Sequence, residues 1–201
     1  MARPRSAGYD GQREQILAAA AQCFATRGYT ATTMNEVAAA CGVSKATLYH
    51  YVRDKRGLLT QISAGHVARL EVLVQQTAAQ DLPPEAHLRE LIGRFMQAYA
   101  RAEYEHRVLT EDVKFLAEAD RVQVLAAQRR VVAAFAAAVA ALRPGLRNAG
   151  LDKPLAMLLF GMINWTFTWL KAGGALTHET LAPVVAALFL GGLPTVPLVS
   201  R

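Results

Sequence analysis

Cysteine is scarce: Cys23 and Cys41 are the two in 201 residues, and they do not form a CxxC pair. That excludes a disulfide framework and a cysteine-ligated zinc module, and makes reduced thiols in a cytoplasmic protein the expectation. The opening MARPRSAGYDG lacks the apolar run of a secretory leader. Aromatic residues are only 7% of the chain, and no stretch alternates with period two, so strands are not expected. No long apolar run is present either. The most apolar segment, Leu155 to Leu170, falls short of the roughly 20 residues that cross a bilayer and carries Asn164 in its middle. No membrane partner is therefore expected. Catalytic signatures are missing as well: there is no His/Cys/Asp grouping at ligand spacing, no glycine-rich phosphate loop and no Gly-x-Ser-x-Gly elbow. The five histidines are scattered. An enzyme is not expected, nor a cofactor or a metal.

What the chain does have is apolar sequence at helical spacing. Hydrophobic residues make up 53%, enough for a core of one domain, or of a small domain and a larger one. The expected class is all-α, with about nine helices. Ile16, Ala19, Ala20, Cys23 and Phe24 give one face to a first helix over residues 12–27, with Asp10 as N-cap and Gly28 left-handed after its end. Thr33 and Glu36 stand three apart, as a capping box opening a second helix. Ser44 caps a short third helix ending near Tyr51, with Val43 and Leu48 as a hydrophobic staple. A long fourth helix follows Asp54 and runs to residue 79, before DLPP breaks the chain. Further helices are expected over 84–102, 105–119, 121–142, 153–171 and 177–190, with RPGLRNAG and KAGGAL as loops.

The net charge is +6 and is unevenly spread. The first 60 residues hold 8 Lys/Arg against 4 Asp/Glu, while the remainder holds 14 against 12. A basic N-terminal part suits a polyanion. Within it, two short helices joined through ACGVS form a helix-turn-helix pattern. Gly42 takes positive φ without steric cost, so the chain can reverse there. The second helix then exposes Lys45, Ala46, Thr47, Tyr49 and His50. A helix of this kind fits the major groove of double-stranded DNA, its N-terminal end against base edges. Lys45 can donate to guanine or phosphate, and the methyls of Ala46 and Thr47 can meet a thymine methyl. Tyr49, His50 and Thr33 are placed for phosphates, with Lys55 near the backbone. Arg3 and Arg5 form an arm that can enter a minor groove.

The run QILAAAAQCFATRGYTATTMNEVAAACGVSKATLYHYVRDKRGLL, Gln15 to Leu59, resembles the N-terminal domain of TetR-family transcriptional regulators over its full length. The F…RGY…T passage, EVAAACGVSKATLYHYV and DKRGLL carry the resemblance; Cys41 departs from the small residue more usual there. It implies a homodimer, one operator half-site per subunit and a C-terminal domain that binds a small effector. It also implies that Thr33, Ser44, Lys45, Thr47, Tyr49, His50 and Lys55 lie at or near the DNA. The domains are then 1–57, for DNA, and 58–201, for ligand and dimer.

In the second part, Phe95, Tyr99, Phe115, Trp165 and Trp169 are candidates to line an apolar pocket. FGMINWTFTWLKAGGALTHETLAPVVAALFLGGL resembles the C-terminal end of TetR-type regulators of fatty-acid, aromatic-acid and steroid breakdown, members of which often respond to acyl-CoA thioesters. Arg129 and Arg130 are candidates for the phosphates of such a ligand. The last two helices have too much apolar surface for a solvated face and are expected to pair with a second subunit as a four-helix bundle. The function these features define is a ligand-responsive transcriptional regulator, a repressor in the family's commoner mode. The alternatives are an activator or an architectural DNA-binding protein without sequence preference.

Overall fold

A computed structural model describes residues 7–171 and 173–198, so Arg3 and Arg5 lie outside the described residues. Among the described residues there are ten α-helices and no strand. They are α1 (Ala7–Arg27), α2 (Met34–Ala40), α3 (Lys45–Tyr51), α4 (Lys55–Ala78), α5 (Pro84–Arg101), α6 (Glu103–Glu111), α7 (Glu118–Leu142), α8 (Gly145–Asn148), α9 (Asp152–Asn164) and α10 (His178–Gly192). Short 3-10 turns cover Val113–Phe115, Thr166–Thr168 and Leu193–Thr195.

The all-α class holds, and several boundaries differ from those the periodicity predicts. Asp10 lies inside α1, in its first turn, and is not its cap. The RPGLRNAG segment contains the single turn α8. The helix expected over 105–119 stops at Glu111, where the Phe115 amide donates to the Asp112 carbonyl at 2.9 Å and tightens the chain into a 3-10 turn. The helix expected to reach residue 171 ends at Asn164. There Thr166 donates to the Ile163 carbonyl at 2.9 Å and Thr168 to the Trp165 carbonyl at 2.7 Å. Threonine hydroxyls that bond nearby carbonyls compete with the helical ladder.

The chain forms two compact units, each discontinuous in sequence: residues 1–67 with 103–124, and residues 68–102 with 125–201. The first unit draws in 103–124 because α6 packs along α1. Its core contains Ile16, Phe24, Val37, Leu48, Leu58 and Leu59, all essentially without solvent exposure. Arg13 of α1 donates through Nε to Gln61 of α4 at 3.0 Å, and Thr60 donates to Asp120 at 2.9 Å.

The second unit packs α5, α9, α10 and the later part of α7 around one aromatic cluster. Phe135 lies 4.8 Å from Phe95 and 4.7 Å from Phe160, centroid to centroid. Tyr99 joins through Phe95 and donates its hydroxyl to Asn164 Oδ1 at 3.0 Å. Asn164, the amide side chain in the most apolar stretch, thus has a buried partner. Among the described residues α7 is the one helix long and apolar enough to cross a membrane. Its Val131, Phe135 and Val139 are buried in this core.

Phe135→Ala is expected to cost about 3–5 kcal/mol, the range for an aromatic side chain truncated in a closed core. Urea unfolding measures it, and a loss under about 1 kcal/mol would mean the cluster is not packed as described.

Candidate nucleic-acid interface and effector region

The helix-turn-helix is assembled from local hydrogen bonds. Thr33 caps α2: its hydroxyl accepts from the Glu36 amide at 3.3 Å and donates to the Glu36 carboxylate at 2.9 Å, while its own amide donates to that carboxylate at 2.7 Å. Arg27, at the end of α1, pairs with the same carboxylate group at 2.9 Å. The Thr33 backbone amide, first among these bonds, holds the Glu36 carboxyl below its usual range. After α2, Gly42 has φ of +65° and lets the chain reverse. Ser44 caps α3, accepting from the Thr47 amide at 3.0 Å, and its hydroxyl meets the Thr47 hydroxyl at 2.8 Å.

Burial sorts the residues of α3. Leu48 is fully buried, and Val52 follows it into the core. Tyr51 stacks on Tyr9 of α1 with centroids 4.6 Å apart. Ser44, Lys45, Ala46, Thr47, Tyr49 and His50 are all exposed. His50 keeps edge contacts with Tyr9 and Tyr51 at 6.0 and 5.5 Å. One short helix thus carries every expected base-facing residue on its outer side.

Lys55 is placed differently. Its Nζ donates to the carbonyls of Tyr29, Thr30 and Thr32 at 2.9, 3.2 and 2.9 Å. These bonds close the loop between α1 and α2. Beside Lys55, Asp54 accepts from the Gly57 amide at 2.7 Å and opens α4. The sequence reading also missed Tyr9 and Arg27. Both sit on α1, and their partners Tyr51 and Glu36 lie many residues away, so no local pattern marks them.

The effector candidates separate. Phe95 and Tyr99 are buried in the second unit's core, in direct ring contact. Burial pushes the Tyr99 phenol well up. Phe115 belongs to the first unit, stacked on Tyr29 with centroids 5.2 Å apart. Arg129 is exposed. Arg130 holds Glu71 through two nitrogens, the second at 3.2 Å, and that hydrogen bond is the main cause raising its pKa. Trp165 and Trp169 flank the 3-10 turn after α9 and are 50% and 52% exposed, on the surface of this unit. A groove of about 390 Å³ between α5 and α10 is lined by Arg89, Arg94, Glu90 and Glu179 over a floor that includes Gly93, Ala182 and Pro183. Its charges balance, and Arg89 and Arg94 are paired with Glu85 and Glu90 on their own helix.

A capped short helix with a polar outer row, held by a Gly turn to a second capped helix, defines a helix-turn-helix DNA-binding protein. Residues 16–62 match the bacterial regulatory proteins of the tetR family, and residues 81–193 match the tetracyclin repressor-like C-terminal domain. The chain belongs to the TetR family of transcriptional regulators. It is a DNA-binding, ligand-responsive regulator and not an enzyme. The transcriptional repressor KstR2 of Rhodococcus jostii is 26% identical over 191 residues, 94% of each chain. A TetR-family regulator from Bordetella parapertussis superimposes with a TM-score of 0.85 at 34% identity, covering 94% of this chain and 98% of that one. AibR, solved with isovaleryl coenzyme A and operator DNA, superimposes with a TM-score of 0.74 at 27% identity, over 88% and 97% of the two chains.

Asp112 is buried at the junction of α6 and the 3-10 turn. Burial first, then the Glu111 charge, raises its pKa from 3.8 to about 6, against the pull of Lys114 and Arg107. Below pH ~4 the carboxyl is protonated in both folded and unfolded chains. Between about 4 and 6 only the folded chain keeps the proton, and above 6 it carries the full cost of a buried charge. Stability therefore falls as pH rises through that window. Asp112→Asn should be more stable than the parent by about 2–3 kcal/mol at pH 7.5, with no gain below pH 4. Urea unfolding at the two pH values checks this; an equal difference at both would show that Asp112 does not titrate as described.

Proposed function

We propose that the chain is a homodimeric repressor released from its operator by an acyl-CoA thioester. Residues 1–57 hold the DNA, and residues 58–201 hold the effector and the second subunit. The outer row of α3 carries the DNA part of this reading. Lys45, Ala46, Tyr49 and His50 are exposed on a helix anchored from its other side by Leu48 and Tyr51. In a twofold dimer two such helices enter successive major grooves about 34–36 Å apart. Lys45 and Ala46 then meet base edges, with Thr47 beside them; Tyr49, His50, Ser44 and Thr33 meet the backbone. The Arg3 and Arg5 arm reaches the minor groove in the same reading.

Repression is supported by the KstR2 relatives, which are named repressors and match along most of their length. An acyl-CoA effector is supported by AibR, a structural neighbour that binds isovaleryl coenzyme A. Arg129, exposed on α7, is the better candidate for a CoA phosphate, since Arg130 is engaged with Glu71. The dimer is supported by the outer faces of α9 and α10. Leu158 and Leu188 are 65% and 66% exposed, with Met157 and Val184 beside them on the same helices. Apolar residues exposed together in this way mark an interaction surface.

A duplex enriched by the parent protein from a random-sequence library serves as the DNA probe. Lys45→Ala and Tyr49→Ala should each weaken binding at least tenfold, and parent affinity should fall steeply with salt as counterions are released. Full affinity in both variants would overturn the docking. Isovaleryl-CoA or a longer acyl-CoA should lower the parent's affinity; a series from C4 to C18 without effect would point to another effector class. Leu188→Asp should shift the protein from dimer to monomer in analytical ultracentrifugation. A dimer of unchanged stability would place the interface elsewhere.

A further inference from the structure

Lys55 sits where a phosphate ligand would be expected, yet its protons point inward. An ammonium has three N–H donors, and three carbonyls of one loop receive them, those of Tyr29, Thr30 and Thr32. The same Nζ lies 4.6 Å from the centroid of the Tyr29 ring. Tyr29 is buried and stacked on Phe115, with an interplanar angle of 23°. The residue following Thr32 is Thr33, the cap of α2. Otherwise this loop is held by the Thr32 hydroxyl, which donates to the carbonyls of Gly28 and Cys23, and by the Thr32 amide on Gly28.

We infer that Lys55 is a positioning residue for the DNA-binding face: it sets the start of α2 from the start of α4, and the Tyr29–Phe115 stack ties the same loop to the end of α6. The inference rests on the reading that the helix-turn-helix holds DNA. Its physical content is a shared constraint. If the first turn of α4 shifts, the ammonium either carries the loop with it or gives up three charge-assisted hydrogen bonds. If the turn after α6 rotates, Phe115 must slide on Tyr29 or drag it. Both displacements arrive at Thr33. A ring stack on the buried Tyr29 and a converging set of bonds have few intermediate arrangements, which is the property a switch element needs.

The test uses the full-length protein with Lys55→Met, Phe115→Leu and the double variant. Amide exchange is followed at Thr32 and Thr33, whose amides donate to Gly28 and Glu36. Exchange is also followed at Leu48 and Val52, which report the recognition helix. Affinity is measured against the library-enriched duplex across salt. Exchange at Thr32 and Thr33 should rise at least tenfold in Lys55→Met and rise also in Phe115→Leu, while Leu48 and Val52 keep parent rates. The double variant should show less than the product of the two effects. Lys55→Met should weaken DNA binding about tenfold at an unchanged salt slope. A slope reduced by about one, with exchange at parent rates, would make Lys55 a phosphate ligand and overturn the clamp. Equal acceleration at Leu48 and Val52 would mean general loosening and overturn it too. Parent exchange in Phe115→Leu would remove the tie to α6. If the parent enriches no duplex, the DNA reading fails, and the exchange rates alone decide the clamp.

Discussion

Helix α3 has seven residues, too few to persist in water on its own hydrogen bonds. Its survival depends on what grips it from one side: the Ser44 cap, Leu48 in the core, and the Tyr51 ring on Tyr9. That constraint orders the first unit. α1 and α4 are long, at 21 and 24 residues, and supply the surfaces a short helix cannot supply for itself. On the outer side of α3 the structural tasks are few: His50 keeps its edge contacts with Tyr9 and Tyr51. Lys45, Tyr49 and His50 can be chosen for what they touch outside the molecule, which is why a Lys and two aromatics stand exposed on so short a helix.

Cations stitch the chain at two places where helices end. Lys55 gathers the carbonyls after α1, and Arg143 donates through Nη1 to the carbonyls of Leu193, Pro194 and Val196 after α10, the last at 2.7 Å. Helix termini leave acceptors without intrahelical donors, and a buried acceptor left alone costs more than a hydrogen bond returns. A single flexible cation can serve several such carbonyls at once. Sequence placed Lys55 near the DNA and gave Arg143 no role; the folded chain shows the carbonyls that each one gathers.

What sequence made legible follows the range of the interaction. The capping box at Thr33 and Glu36, the Gly42 turn and the Ser44 cap are written within a few residues, and all three are present as expected. The all-α class follows from apolar spacing alone. Interactions across long separations were not legible. Arg13 with Gln61, Tyr29 with Phe115 and Tyr99 with Asn164 depend on how helices meet. The end of α9 was misjudged because an apolar run predicts continued helix, whereas Thr166 and Thr168 bond back to carbonyls and tighten it. Which aromatics are enclosed was hidden for a related reason. Composition does not distinguish rings packed together, like Phe95 and Phe135, from rings left at the surface, like Trp165 and Trp169.

Packed aromatics also set the terms on which an effector can act. A ligand shifts an equilibrium only by its difference in affinity for two arrangements, and a swing from 1:99 to 99:1 takes about 5.5 kcal/mol. With Phe95, Phe135 and Phe160 in mutual contact, an acyl chain that enters this core must first part the rings. That opening is charged against binding, so the observed affinity understates the contacts the ligand makes. A long acyl chain recovers the cost with about 0.8 kcal/mol for each buried methylene; a short one must recover it through its polar end. On the proposed reading, chain-length preference therefore measures the stiffness of this cluster as much as the size of the cavity it opens into.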